Sequence, residues 1–376
     1  MARRLMLGDF RSYATLDLPL EGALIVLCGE NGAGKTNLLE ALSLFAPGRG
    51  LRRAEFSACA RIGGPGGFAI SVEIEDGEAS RQLGVGFEPG DGERPAERRI
   101  RVDRAPAPSA RAFADYLRVV WLTPAMDGLF AGPASERRRF LDRLVLAIDP
   151  QHGARVAAFE RALRGRNRLL EEGARNAQWL DALEREAAEL AVAVAAARRE
   201  CVERLKATIA RDRDDASPFP WAALALEGEF ETLAADQPAL AVEDRYRALL
   251  GEARGRDTAA GRTLIGPHVS DLAVSHGPKG APAAQSSTGE QKALLVGLAL
   301  AHARLVADMS GIAPLALLDE ATAHFDPRRR AALFAALERV GCQVFVTGAD
   351  PAAFAELGSR AHVYEVTPGH ARPWPA

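Results

Sequence analysis

A chain of 376 residues, 48% hydrophobic and 26% charged, is long enough to bury a large core and suits about two domains. A net charge of −3 excludes binding to nucleic acid by bulk charge, so any such site must come from local clusters. No uninterrupted apolar run reaches the ~20 residues of a membrane span, and MARRLMLGDF lacks the apolar core of a secretory leader.

Residues 1–27 have the turns and short runs of strands, and Ala23–Cys28 is continuously apolar, as in a strand buried on both faces. The next segment is Gly29-Glu30-Asn31-Gly32-Ala33-Gly34-Lys35-Thr36, followed by Asn37. It fits GxxxxGK[ST] between a strand and a helix, the context in which this pattern cradles phosphates. Glycines let backbone N–H groups converge on phosphate oxygens at a helix N-terminus. Lys35 would then reach the β- and γ-phosphates of ATP, and the Thr36 hydroxyl would ligate Mg²⁺. Leu38, Leu39, Leu42 and Phe45 form the apolar face of the helix, which Pro47-Gly48 ends.

Between residues 62 and 110, short alternating pieces such as Phe68–Ile74 predict small antiparallel strands, separated by the turn-rich run Pro89–Pro95. From Ala134 to Ile209 the chain turns to Ala, Leu, Glu and Arg at helical spacing. One stripe runs through Phe159, Leu163, Leu169 and Leu170, another through Leu180, Leu183, Leu190 and Val194. The break at Gly173–Gln178 predicts two helices folding back as a hairpin. Residues 211–262 are polar and turn-rich with one or two helices. Alternating strands and helices resume from 263.

Near the end, Pro314–Leu318 is an apolar strand that delivers Asp319 and Glu320. Asp319 suits a magnesium ligand, commonly through water, and Glu320 suits the group that orients or deprotonates an attacking water. Upstream, Ser287-Thr288-Gly289-Glu290 opens an apolar helix. Ser287 with Glu290 makes a capping box, and such a helix start is also an anion site. Its order and spacing before the acidic pair resemble the ABC signature, which contacts the γ-phosphate bound by the opposite subunit. Ala323-His324-Phe325-Asp326-Pro327 resembles the D-loop at such a dimer interface, with Asp326 in the Asp position; it also fits a plain turn into a helix at Pro327. The fold expected is an α/β, ABC-type P-loop ATPase head of mixed sheets and flanking helices. Residues 1–125 and 263–376 form that head, and residues 126–262 form an inserted, mostly helical lobe.

The chain also resembles the RecF family of bacterial recombination and gap-repair ATPases over nearly its whole length. The resemblance is carried by Phe10-Arg11-Ser12-Tyr13, Asn31–Leu42, Gly48–Arg52, the Arg-rich Gly132–Asp142, Arg161-Ala162-Leu163 with Arg166–Leu170, and Gly266-Pro267-His268 with Asp271-Leu272. Many ABC ATPases carry a Gln after the middle strand and a His after the last. Here Trp121-Leu122-Thr123-Pro124 offers no Gln and Val346 is followed by Thr347, a residue this family tends to show there. Slow hydrolysis, fit for a timing switch, follows from those departures. The resemblance implies a cytoplasmic protein that forms an ATP-dependent homodimer. It implies binding to double-stranded and single-stranded or gapped DNA, and work with RecR and RecO to load RecA.

Candidate DNA contacts are Arg52, the run Arg137, Arg138 and Arg139, and Arg166, with Arg49, Arg53, Arg161, Arg164, Arg168 and Arg328–Arg330 as further basic positions. Arginine–phosphate contacts would give salt-dependent, sequence-tolerant binding. With aromatics at 6%, stacking on single-stranded bases is not favoured. Three rivals predict other features. A transport cassette needs the missing Gln and His and a membrane partner. A chromosome-organising ATPase needs long heptad arms. A P-loop kinase does not need Ser287–Gly289. The four cysteines, Cys28, Cys59, Cys201 and Cys342, have no CxxC spacing and suit free thiols.

Overall fold

The computed structural model describes residues 1–76, 79–91, 94–173, 177–323 and 325–374. Parts of the predicted turns at 89–95 and 173–178, and His324 of the expected D-loop, lie outside the described residues.

The chain divides into a head, formed by Met1–Asp127, Asp212–Trp221 and Ser287–Ala376, and a lobe, formed by Gly128–Arg211 and Ala222–Ser286. The division falls later than the 262/263 boundary expected from sequence, for a nonlocal reason. Asp271–His276 pairs antiparallel with Ala222–Glu227, Leu272 opposite Leu226 and Val274 opposite Leu224, so residues 263–286 belong with the lobe.

Among the described residues the head contains two sheets. One is antiparallel, in the order Tyr13–Pro19, Ala2–Phe10, Phe68–Asp76, Ala79–Glu88, Glu97–Val102, Ala105–Pro106. The other runs His370–Pro373, His362–Thr367, Leu24–Cys28, Gln343–Gly348, Leu315–Leu318, Val119–Leu122. It is parallel except for its terminal hairpin. Its inner strands LIVLC and LALL are buried at every residue, as a sheet covered on both faces requires. In the antiparallel sheet Phe68, Ile70, Val72 and Ile74 are buried and alternate with more exposed residues. The helix Lys35–Ser43 adds Leu38, Leu39 and Leu42 to one apolar cluster with Leu5, Val72 and Val85 of the antiparallel sheet and Ile25, Leu317 and Phe345 of the parallel one. This packing holds the N-terminus of the helix at the carboxyl ends of the parallel strands.

Thr288–Ser310 is long and apolar enough by composition to cross a membrane. It is a core helix of the head: Ala293, Leu294, Leu295, Val296 and Leu298 are all buried.

In the lobe, His152–Glu171 and the 35-residue helix Ala177–Arg211 pack together. The buried stripe of the long helix differs from the leucine stripe expected. Leu180 and Val194 are buried, but Leu183 and Leu190 are only half-buried; the contact is made largely by Ala187, Ala188 and Ala191. Small side chains let the backbones approach, and the same face buries Glu184 and Arg198, whose charges are paired inside the lobe.

Candidate functional site

The phosphate loop leaves the buried strand at Cys28 and enters the helix at Lys35. Gly29 has no room for a side chain: a Cβ there would sit 2.1 Å from the carbonyl oxygen of Val366. Gly34 caps the helix at φ 112°, a region that L-residues avoid, and a Cβ on it would meet the Tyr13 hydroxyl at 2.8 Å. That hydroxyl donates to the Gly34 carbonyl at 3.2 Å, and burial pushes its pKa upward, so it keeps its proton. Next to it, Asn37 Nδ2 donates to Ser12 Oγ at 3.0 Å. Thus Ser12 and Tyr13 brace the loop. The sequence marked them only as part of a resemblance.

Lys35 is buried, and its ammonium donates to the carbonyls of Gly29 at 2.6 Å and Glu30 at 2.8 Å. The charge is therefore held inside the curve of the loop. The strand Gln343–Gly348 lies between the loop strand and the acidic strand, with Thr347 beside Leu27. Across it, Thr36 Oγ1 is 2.9 and 3.1 Å from the two carboxylate oxygens of Asp319. Asp319 is buried, its own N–H donates to the Leu122 carbonyl at 2.9 Å, and its Oδ1 accepts from Thr347 Oγ1 at 2.8 Å. Glu320 is exposed at φ 51°, and its N–H donates to the same Thr347 oxygen at 2.8 Å.

These groups fit a magnesium–triphosphate. A hydroxyl and a carboxylate converge, both hard oxygen donors, and no cluster of three or more His, Cys, Asp or Glu suited to a metal occurs among the described residues. Magnesium commonly takes one or two carboxylates, with phosphate oxygens and water completing its shell.

Ser287 caps the helix Thr288–Ser310, with both halves of the capping box formed. Ser287 and Thr288 are exposed, so this helix start faces solvent. Asp326 caps Pro327–Arg339 by accepting from the Arg329 N–H at 2.9 Å, which holds its carboxyl below the usual range.

The candidate DNA arginines do not form one surface. Arg166 is fully buried and donates to Glu184 at 2.9 Å, Asp257 at 2.8 Å, Thr263 at 2.9 Å and the Leu250 carbonyl at 2.6 Å. It is an internal strut of the lobe and cannot meet a phosphate. Arg137 grips Asp271 through two bonds of 2.8 and 2.7 Å and donates to the Gly132 carbonyl. Arg138 donates to the Ser270 carbonyl at 2.7 Å. The Arg-rich segment therefore fastens the helix Ala134–Ile148 to the strand Asp271–His276. Sequence alone hid this because the partners lie more than 130 residues away. Arg139 is exposed beside Glu136, and Arg52 is exposed while donating to Asn37 and Glu40.

Among curated proteins, the DNA replication and repair protein RecF of Mesorhizobium japonicum is 53% identical, covering 98% of this chain and 97% of its own. The chain belongs to the RecF family. The RecF of Rhizobium meliloti is 52% identical over 97% of both chains. A family model described as an AAA domain matches residues 4–107. Among solved structures, the recombination mediator protein RecF-ATPrS in the RecFOR pathway superposes with a TM-score of 0.85 at 19% identity, covering 100% of this chain and 98% of its own. The Smc head bound to the C-winged helix domain of ScpA gives 0.55 at 15% identity, covering 99% of this chain and 96% of its own. RecF and Smc heads thus share this fold, the ABC-type head expected from the motifs.

Proposed function

We propose that this RecF-family chain is an ATP-dependent DNA-binding protein of recombinational gap repair, dimerising on ATP and reopening on slow hydrolysis. The observation that carries the reading is the convergence of the phosphate loop and the acidic strand, with Lys35 held inside the loop and Thr36 Oγ1 2.9 Å from Asp319. Gly29–Asn37 would hold the phosphates, Lys35 would neutralise them, and Thr36 and Asp319 would hold Mg²⁺, which would supply further positive charge to the triphosphate. Glu320 is exposed and would take a proton from the attacking water. Ser287, Thr288, Gly289 and Glu290 of a second copy would cover the γ-phosphate, using a solvent-facing helix start as an anion site. Asp326 would lie at the same interface.

On this reading the protein works in the cytoplasm on double-stranded and gapped DNA, with RecR and RecO as partners and RecA indirectly. Exposed Arg52 and Arg139 remain as candidate phosphate contacts.

The test compares DNA retention and sedimentation with ATP and with ADP for wild type, Lys35→Met and Ser287→Arg. Wild type should dimerise and hold DNA only with ATP. Lys35→Met should lose ATP binding, and Ser287→Arg should bind ATP yet stay monomeric. ATP-loaded wild type that remains monomeric at high concentration with DNA present rejects the shared-nucleotide reading.

A further inference from the structure

Thr347, where the sequence departs from the His of many ABC ATPases, lies within the strand Gln343–Gly348 and makes two bonds there. Thr347 is fully buried at the end of Gln343–Gly348. Its hydroxyl has one proton to give, and Asp319 Oδ1, 2.8 Å away, takes it. The oxygen then faces the Glu320 N–H as an acceptor, also at 2.8 Å. One side chain thus ties the side chain of the first acid to the backbone of the second.

The second tie matters because Glu320 sits at φ 51°. A β-carbon makes this left-handed region costly, so a non-glycine residue stays there only when its surroundings hold it. That backbone angle sets where the Glu320 carboxylate points. We propose that Thr347 is a positioning residue, fixing the orientation of Glu320 by tying its backbone to the Asp319 carboxylate. Threonine suits the task because branching at Cβ restricts χ1. The proposal rests on the ATPase reading above, with Glu320 as the group acting on water.

The test uses full-length protein with Thr347→Val, which keeps the shape and removes the hydroxyl, and Thr347→Ser, which keeps the hydroxyl. Lys35 and the glycine loop are untouched, so Thr347→Val should leave the KM for ATP near wild type. It should lower kcat by about 10–100-fold, the range for a lost group that orients another. Thr347→Ser should recover most of that loss. A second measurement needs no turnover: amide hydrogen exchange at Glu320 in nucleotide-free protein. It should accelerate in Thr347→Val and stay slow in Thr347→Ser. Equal kcat loss in both variants, an unchanged kcat in Thr347→Val, or unchanged exchange at Glu320 overturns the proposal. If Thr347→Val unfolds, unprotected Glu320 exchange in folded Thr347→Ser alongside wild-type kcat overturns it too. A wild type that never binds ATP fails the ATPase reading instead, and the exchange measurement then decides the coupling by itself.

Discussion

Lys292 Nζ lies 3.1 Å from Asp127 Oδ2, joining the second turn of the helix Thr288–Ser310 to the loop that follows the strand Val119–Leu122. The lysine is 4% exposed, and the same strand supplies the Leu122 carbonyl that receives the Asp319 N–H. The helix start at Ser287 and the acidic strand are therefore both registered against one strand end. Lys292→Met keeps the apolar stem and removes the charge. It should cost about 1–3 kcal/mol in urea unfolding, as for a hydrogen bond to a charged group, and weaken the ATP-dependent dimerisation proposed above. Asp127→Asn should cost less, because its amide oxygen can still accept. A Lys292→Met protein with wild-type stability and dimerisation would show that this pair sets no register.

Arg166 should matter to folding and not to DNA. Arg166→Met leaves the buried Asp257 without its cation and Glu184 with only Arg254. The expected loss is about 3–5 kcal/mol, the cost of breaking a buried pair from one side. In folded protein, the slope of log affinity for DNA against log salt should not change, whereas loss of a phosphate contact lowers that slope by about 1. A reduced slope would put Arg166 back on the surface.

Two loop glycines should respond differently to alanine. Gly29→Ala drives a Cβ into the Val366 carbonyl, so two paired strands must part; nucleotide binding should be abolished. Gly32 has φ 86° but open space around its missing Cβ. Gly32→Ala should cost only about 1–2 kcal/mol of backbone strain and weaken ATP binding without abolishing it. Calorimetric titration with ATP separates the two.

His268 should make the lobe sensitive to acid. Burial pushes its imidazole below the ordinary value, with Arg138 and Arg198 adding to the effect; its bond to the Thr263 carbonyl and the charge of Asp257 oppose it. The unfolded chain takes up this proton first, near pH 6.5. Stability is therefore greatest above that pH and falls as pH drops towards the folded-state value, below which the loss is constant. Unfolding free energies at pH 7.5 and 5.5 should differ more in wild type than in His268→Gln. Equal differences would exclude His268 as the source.

The phosphate loop, the acidic pair and the capping box were legible because each is a local pattern: the first two follow a strand and precede a helix, and the third opens one. The strand Asp271–His276 was harder, since only its pairing with Ala222–Glu227 assigns it to the lobe. Arg137 and Arg166 misled for a related reason. An arginine run looks alike whether it meets solvent or a carboxylate brought from far along the chain, and Asp271 and Asp257 are such distant partners. Thr347 was visible only as a departure from a pattern; its two bonds depend on a parallel neighbour, which sequence spacing does not reveal.

The glycine-loop strand Leu24–Cys28 is flanked on one side by Gln343–Gly348 and on the other by His362–Thr367. During synthesis the ribosome therefore makes the ATP-binding motif early but cannot complete its sheet until the last strands emerge. The lobe, whose segments all precede residue 287, has what it needs to fold first. A truncated chain ending before residue 343 would carry every residue of the Gly29–Thr36 phosphate loop and still leave the strand that feeds it without either neighbour.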